Sequence, residues 1–375
     1  LAAFLVFSNL KGKPHFNYSN NCEIAHQALL RFDLEACRKA LSRERTKNPD
    51  NLLIPYFRNY IDFFKAFAFE NGNSYSRVIE KMDQRINTIN DGPESKYKKL
   101  LQGEVYLHQS LVHLKFGDNL KAAWDLSRAY QFLEDNKEQY PDFLLADRAY
   151  YALQAIVGSL PQSYYILANL AGLDGSLNEA INKYKASLKQ LANNNKYRYF
   201  YRESKVLYAY LQLHLLGNEA KALKIVKSVA KEAPNNPVNK VFLTNIADQV
   251  KNNKLVLETL RQYRESKPPI PYLDYKLGEA LLKKHDPEAR FYLGRYIKNF
   301  EGKSYVKDPY LKIGWSYLMT GQMDQYQNCL YLVKQKGGKR RAEDQQALKE
   351  VGQYDQTNVW LLKARLAFDG GYYDT

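Results

Sequence analysis

Cysteine is scarce in this chain, with three in 375 residues. Cys22, Cys37 and Cys329 cannot build a disulfide framework and are too scattered for a zinc site. Cys22 and Cys37 could meet only across a first helix pair. There they would be offset by about 7.5 Å along the axis, beyond comfortable bridging reach, so buried free thiols are expected. Long apolar runs are missing as well. The longest clean one, Leu1 to Phe7, falls far short of the ~20 residues of a spanning helix, so no transmembrane segment is expected. Nineteen Gly and thirteen Pro are too few for a collagen or low-complexity scaffold. Gly337-Gly338-Lys339 lacks the spacing and preceding strand of a phosphate loop, and there is no G-x-S-x-G elbow. Of six His, His108 and His113 lie five apart, which points them about 140° apart on a helix instead of together as metal ligands at i and i+4. Glu104 shares a face with His108, but no third ligand accompanies them. The expectation is a protein that is not an enzyme and uses no cofactor or metal.

Positive charge and aromatic residues are abundant. Lys and Arg number 55 against 40 Asp and Glu, a net +15 with a pI near 9.3, and there are 31 Tyr. The 45% hydrophobic content excludes wholesale disorder. Two readings of the charge are open. One is a compositional bias toward Lys and Tyr codons. The other is attraction of an anionic partner: nucleic acid, a membrane face or an acidic protein. A nucleic-acid binder concentrates its cations in a stripe, whereas here they lie in nearly every segment.

The chain repeats. An apolar helix, a Gly or Asx turn and an Ala five residues on recur at Gly117 and Ala122, Gly175 and Ala180, and Gly217 and Ala222. Gly321 leads likewise to Tyr326. Asn252-Asn253 and His285-Asp286-Pro287 occupy the same kind of turn. Gly217 to Asn252 is 35 residues, Asn252 to Asp286 is 34, and Asp286 to Gly321 is 35. A Pro follows the turn by 17 residues at Pro234 and, counted from Phe32, at Pro49. Val206 to Leu216 is apolar almost all round and must be covered on more than one side. Glu219 to Glu232 carries Ala222, Leu223, Val226, Val229 and Ala230 at helical spacing. The units vary: Gly117 to Pro141 is 24 residues, so that second helix should be about two turns longer. Lys334 to Arg341 interrupts the period and stretches Gly321 to Gly370 to 49 residues.

The period, the turn glycine, the small residue after it and the closing Pro resemble the tetratricopeptide repeat family. The resemblance covers about residues 18–375. It implies an all-α, tetratricopeptide-like α-solenoid, a right-handed superhelix of roughly eight antiparallel helix pairs. The layout is similar to exported tetratricopeptide proteins of Bacteroidota. Ala152 to Leu173 resembles a junction of the eukaryotic tetratricopeptide protein thirty-nine and inclusion-body clearance family. Three regions are expected: 1–16, a signal-peptide remnant and short linker; 17–170, irregular helix pairs; and 171–375, a more regular array ending in the turn of its last unit. The opening Leu1 to Asn9 reads as the apolar part of a signal peptide, with Val6 and Ser8 at positions −3 and −1 of a cleavage site. It sets the expectation of export to the periplasm or envelope, with a cytoplasmic protein as the alternative.

Two constellations are candidate partner-binding sites. Lys196, Tyr197, Arg198, Tyr199 and Arg202, with Phe200 and Tyr201, alternate aromatic and basic residues. They form either a stacking and hot-spot strip or a helix start whose aromatics pack while the cations stay wet. Lys339, Arg340 and Arg341 end a run of five cations, either an anion-binding loop or a solvated, flexible connection. Pro268 to Tyr272 reads as a stiff connector. Tyr56, Tyr60, Phe63, Phe64 and Phe67 fall on one helical face and read as core.

The resemblance implies a non-catalytic scaffold that grips a protein or peptide through the solenoid surface, with the net charge favouring an acidic partner. Glycan capture at an outer membrane and single-stranded RNA binding by 35-residue helical repeats are the alternatives. Peripheral envelope association is compatible with all but the last.

Overall fold

The computed structural model describes residues 12–70, 75–162, 168, 169, 172–261, 270–353 and 358–374. The signal-like opening and Pro268-Pro269 lie outside them, as do parts of the 152–173 junction. The described residues form eighteen α-helices and no β-strand. Sixteen pair in antiparallel order: α1 (Asn20–Leu30) with α2 (Leu34–Lys47), α3 (Leu53–Phe69) with α4 (Tyr75–Asn90), α5 (Lys98–Phe116) with α6 (Asn119–Gln139), and α7 (Leu144–Gly158) with α8 (Leu177–Ala192). The pairs continue with α9 (Arg198–His214) and α10 (Glu219–Glu232), α11 (Pro237–Gln249) and α12 (Asn253–Arg261), α13 (Pro271–Leu282) and α14 (Ala289–Asn299), and α15 (Lys307–Met319) and α16 (Met323–Gln335). Then come α17 (Ala342–Gln353) and α18 (Val359–Asp369). The eight stacked pairs make the protein an all-α solenoid.

Local chemistry accounts for the pairs. In seven of the eight a residue at positive φ follows the first helix: Phe32, Glu70, Gly117, Gly217, Lys251, His285 and Gly321. For the four non-glycines this conformation costs about 1–2 kcal/mol each. At the sixth and seventh pairs the left-handed residue is Lys251 or His285, one before the Asx position read from the sequence. Asn252 instead caps α12 by accepting the Leu255 N–H. Ala122, Ala180 and Ala222 are buried where the helices approach. The eighth pair solves the same contact in reverse: bulky Tyr326 is admitted because Gly314 faces it, and a Cβ there would lie 3.3 Å from the Tyr326 ring. Pro237 and Pro271 start α11 and α13. Helix α6 has 21 residues against 14 in α10, the two extra turns expected.

Three expectations are corrected. The fourth pair has no tight turn, because α7 ends at Gly158 and the chain returns to it near Gly175. A Cβ on Gly175 would fall 2.2 Å from the Gln154 carbonyl oxygen, so only glycine fits this approach. In α3 the buried set is not one face: Phe57 is fully buried, whereas Phe67 is 38% exposed. The cationic run after α16 is not a free connection. Gly338 N–H donates to the Lys303 carbonyl at 2.6 Å and Gln345 to that of Lys339 at 2.9 Å.

The apolar core is divided. One cluster runs from Tyr18 to Leu211, across residue 170, and another from Val238 to Leu366. The coil meets itself, since α1 touches α9 and α3 touches α13. At the seam Phe32 belongs to the second cluster, and Phe64 and Phe69 pack against it. Buried Glu70 there accepts hydrogen bonds from Ser304 N–H (3.2 Å) and Oγ–H (2.7 Å), with Lys115 Nζ at 3.6 Å.

Candidate binding cleft and the buried axis

The first helices of successive pairs face the axis of the coil, and two charged clusters lie along it. In the N-terminal half all five first helices converge. Arg148 on α7 donates to Glu104 on α5 and to Glu203 on α9. Tyr56 and Tyr60 on α3 donate to Glu104 and Glu203 respectively, the second at 2.7 Å. His26 Nε2 on α1 lies 3.3 Å from Glu203. Burial alone would raise the Glu203 carboxyl, but Arg148 and then His26 pull it down to about 2. His108 packs against both Tyr60 and Phe63, and burial pushes its imidazole down to about 3. It is neutral at physiological pH and spends its Nδ1 on Asn59 at 3.2 Å. Neither of the two clefts described below reaches this cluster, in which Arg148 is 9% and Glu203 12% exposed.

In the C-terminal half the cluster borders open space. Lys276 on α13 donates to Asp248 on α11 at 2.6 Å and to Glu279 at 2.7 Å. Lys312 on α15 donates to Asp308 at 2.6 Å, to Tyr275 at 3.0 Å and to Glu279. Lys283 also donates to Asp248. Burial would raise the Glu279 carboxyl, yet Lys276, Lys312 and Lys283 hold it well below the usual range. Asp248, Glu279, Lys283, Asp308 and Lys312 form one wall of a cleft of about 550 Å³, with Trp315 and Leu311 beside them and residues of α17 and α18 also lining it, while Lys276 and Tyr275 line a neighbouring cleft. That neighbouring cleft, of about 340 Å³, shares Asp248, Glu279 and Glu343 and adds Tyr210, His214, Tyr272 and Tyr305. The larger cleft is lined by six carboxylates (Asp248, Glu279, Asp308, Glu343, Glu350, Asp369) and four cations (Lys251, Lys283, Lys312, Arg365). The cavity is thus acidic inside a chain of net charge +15.

The residues singled out from the sequence sit elsewhere and on different pairs. At the start of α9, Tyr199 is buried and Tyr197 Oη meets Tyr97 Oη at 3.0 Å. Arg198 reaches Glu23 at 2.8 Å, Arg202 reaches Glu232 at 3.5 Å, and Lys196 is exposed. The aromatics pack while the cations remain near water. Between α16 and α17, Lys339 and Arg340 are exposed and Arg341 lies 5.5 Å over the Tyr305 ring. Neither set lines either of these two clefts. The cleft residues and Arg148 were missed. Their signal was a charge inside a helix that must be covered on two sides, as in Tyr272-Leu273-Asp274-Tyr275-Lys276-Leu277-Gly278-Glu279.

The three Cys are buried free thiols, and burial pushes them up to about 11 for Cys22, 12 for Cys37 and 11 for Cys329. Among the described residues no cluster of three or more His, Cys, Asp and Glu could hold a metal ion, and no helix is long and apolar enough to cross a membrane.

No protein-family model and no curated protein matches the chain. Among solved structures, a crystal structure of a tetratricopeptide repeat protein from Parabacteroides merdae aligns with 83% of this chain and 99% of that one. The TM-score is 0.39 at 12% sequence identity. The fold class rests on the helix pairing described above.

Proposed function

We propose that the protein is a non-catalytic scaffold that holds a protein or peptide partner in the concave cleft of its C-terminal half. The observation that carries this reading is the cleft of about 550 Å³ on the first helices, walled by ordered charges and the Trp315 ring. Concave solenoid faces present side chains from several units to one extended ligand. The aromatic-basic strip at Lys196 to Arg202 and the cations Lys339 to Arg341 are secondary contact points in this proposal. An exported setting, drawn from the opening residues, belongs to it as well.

The test is photo-cross-linking in the native cell, with a photoreactive residue at exposed cleft positions Gln249 and Gln346 or at outer position Lys227. One defined protein adduct from the cleft positions and none from Lys227 is the expected result. Adducts to nucleic acid alone, or equal labelling from all three sites, would remove the proposal.

A further inference from the structure

One side of the cleft is formed by a helix of this chain, whose Arg365, Leu366 and Asp369 line it. In a regular array the helix after α16 stacks on the eighth pair, and α17 takes that place against α15 and α16. Helix α18 does something else. It crosses the concave side and contacts α15 and the turns of the sixth and seventh pairs. Its inner face buries Leu362 and Leu366, both 5% exposed, in the second core cluster. Arg365 lies 5.3 Å over Trp315 and 3.1 Å from Glu350. Residues at the turns hold its middle and the chain just beyond it: His285 Nε2 meets the Lys363 carbonyl at 3.0 Å, and Asn253 Nδ2 donates to Tyr372 Oη at 3.0 Å. Lys251 Nζ sits 3.7 Å over the Phe368 ring. Gly371, at φ +76°, passes so close that a Cβ would lie 2.1 Å from the Lys251 carbonyl oxygen.

We infer that the groove beneath α18 is a receptor for a helix with an aliphatic inner face flanked by an Arg, that α18 occupies that groove in cis, and that a partner helix of the same pattern competes with α18. The inference rests on the reading of the cleft as the partner site. It names the partner's chemistry: two aliphatic residues four apart, with an Arg beside the second. Without α18's own Asp369 and Arg365, the cleft is lined by five carboxylates and three cations, which favours that cation. This reverses the expectation, drawn from net charge, of an acidic partner. The groove is selective by local charge, and the surplus cations lie elsewhere on the surface.

The experiment uses the full chain and a fluorescent peptide of residues 358–374. In G371A the new methyl cannot fit against Lys251. We expect amide exchange of residues 359–369 to accelerate by about tenfold or more while α11–α15 stay protected. The peptide should then bind G371A about tenfold or more tightly than the wild-type chain, because α18 no longer competes. A peptide carrying R365E should lose that gain. L366D, which puts a carboxylate among the cleft carboxylates, is the second loosening variant. The inference is overturned if α18 loosens in either variant and the peptide binds no better. It is equally overturned if α18 stays protected in both, since α18 is then a fixed part of the fold. Protein adducts from Gln249 and Gln346 in cells would survive either failure, so the two readings fall separately.

Discussion

The two halves of the coil put charges at the same place, the axis-facing side of the first helices, and treat them differently. In the N-terminal half α1 packs against α9, and Arg148, Glu104 and Glu203 are tied to Tyr56, Tyr60 and His26 away from the two clefts. In the C-terminal half Lys276, Lys312, Asp248, Glu279 and Asp308 make comparable bonds but face one cleft or the other. The repeat alone does not decide which outcome arises. What decides it is whether the coil meets itself around the cluster. A buried ion cluster specifies packing, whereas one beside open space remains available to a ligand.

The largest expected effect tests the N-terminal side. R148M leaves Glu104 and Glu203 buried without their cation and should cost about 3–5 kcal/mol in urea or thermal unfolding. The matched change K312M, where water can enter from the cleft, should cost about 1–2 kcal/mol. Equal costs would erase the distinction between the halves.

Acid should separate the halves next. His108 is held at about 3 in the fold against an ordinary 6.5, so the unfolded chain binds the extra proton and stability falls as pH drops below 6.5. Glu203, lowered from 4.5 to about 2, adds to the loss below pH 4.5. Glu279 in the other half also favours its charged form, but its loss starts only below 4.5. Hydrogen exchange stepped from pH 7 to 4.5 should therefore loosen α3, α5 and α9 before α11–α15. Uniform loosening would show that the clusters respond alike.

The seam comes third. Glu70 ties the end of α3 to Ser304 across the coil, and E70A should cost about 2–3 kcal/mol by removing two hydrogen bonds to a buried carboxylate. If the seam is what closes the axis, exchange should also rise around Arg148. A loss confined to residues 300–306 would make Glu70 a local tie only.

The contrast between halves was half legible in the sequence. Period, turn glycines and closing prolines gave the helix pairs because these are local effects of backbone conformation. The turn at Lys251 was placed one residue late, at Asn252-Asn253, since a tolerated positive φ on a non-glycine leaves no mark in composition. The cleft was invisible for a different reason. Lys276, Glu279 and Lys312 look like any helical charges until the superhelix sets which face is inside. The crossing of α18 depends on His285 meeting Lys363 and Asn253 meeting Tyr372, 78 and 119 residues apart, and no periodicity encodes that.

The smallest expected effect concerns the strip that the sequence did make conspicuous. Arg198 is 56% exposed and its partner Glu23 is 24% exposed, so solvent screens their 2.8 Å pair. R198A should change stability by about 0–1 kcal/mol and leave the exchange of α1 and α9 as it was. A contact role predicts more. Protein capture through the Gln249 and Gln346 photo-probes should weaken in a K196A/R198A/R202A chain that still melts like the wild type. Unchanged capture would leave the strip as a packed helix start with wet cations, and all recognition would then reside in the cleft. Weakened capture would extend the contact surface across the seam, from the open half onto the N-terminal one.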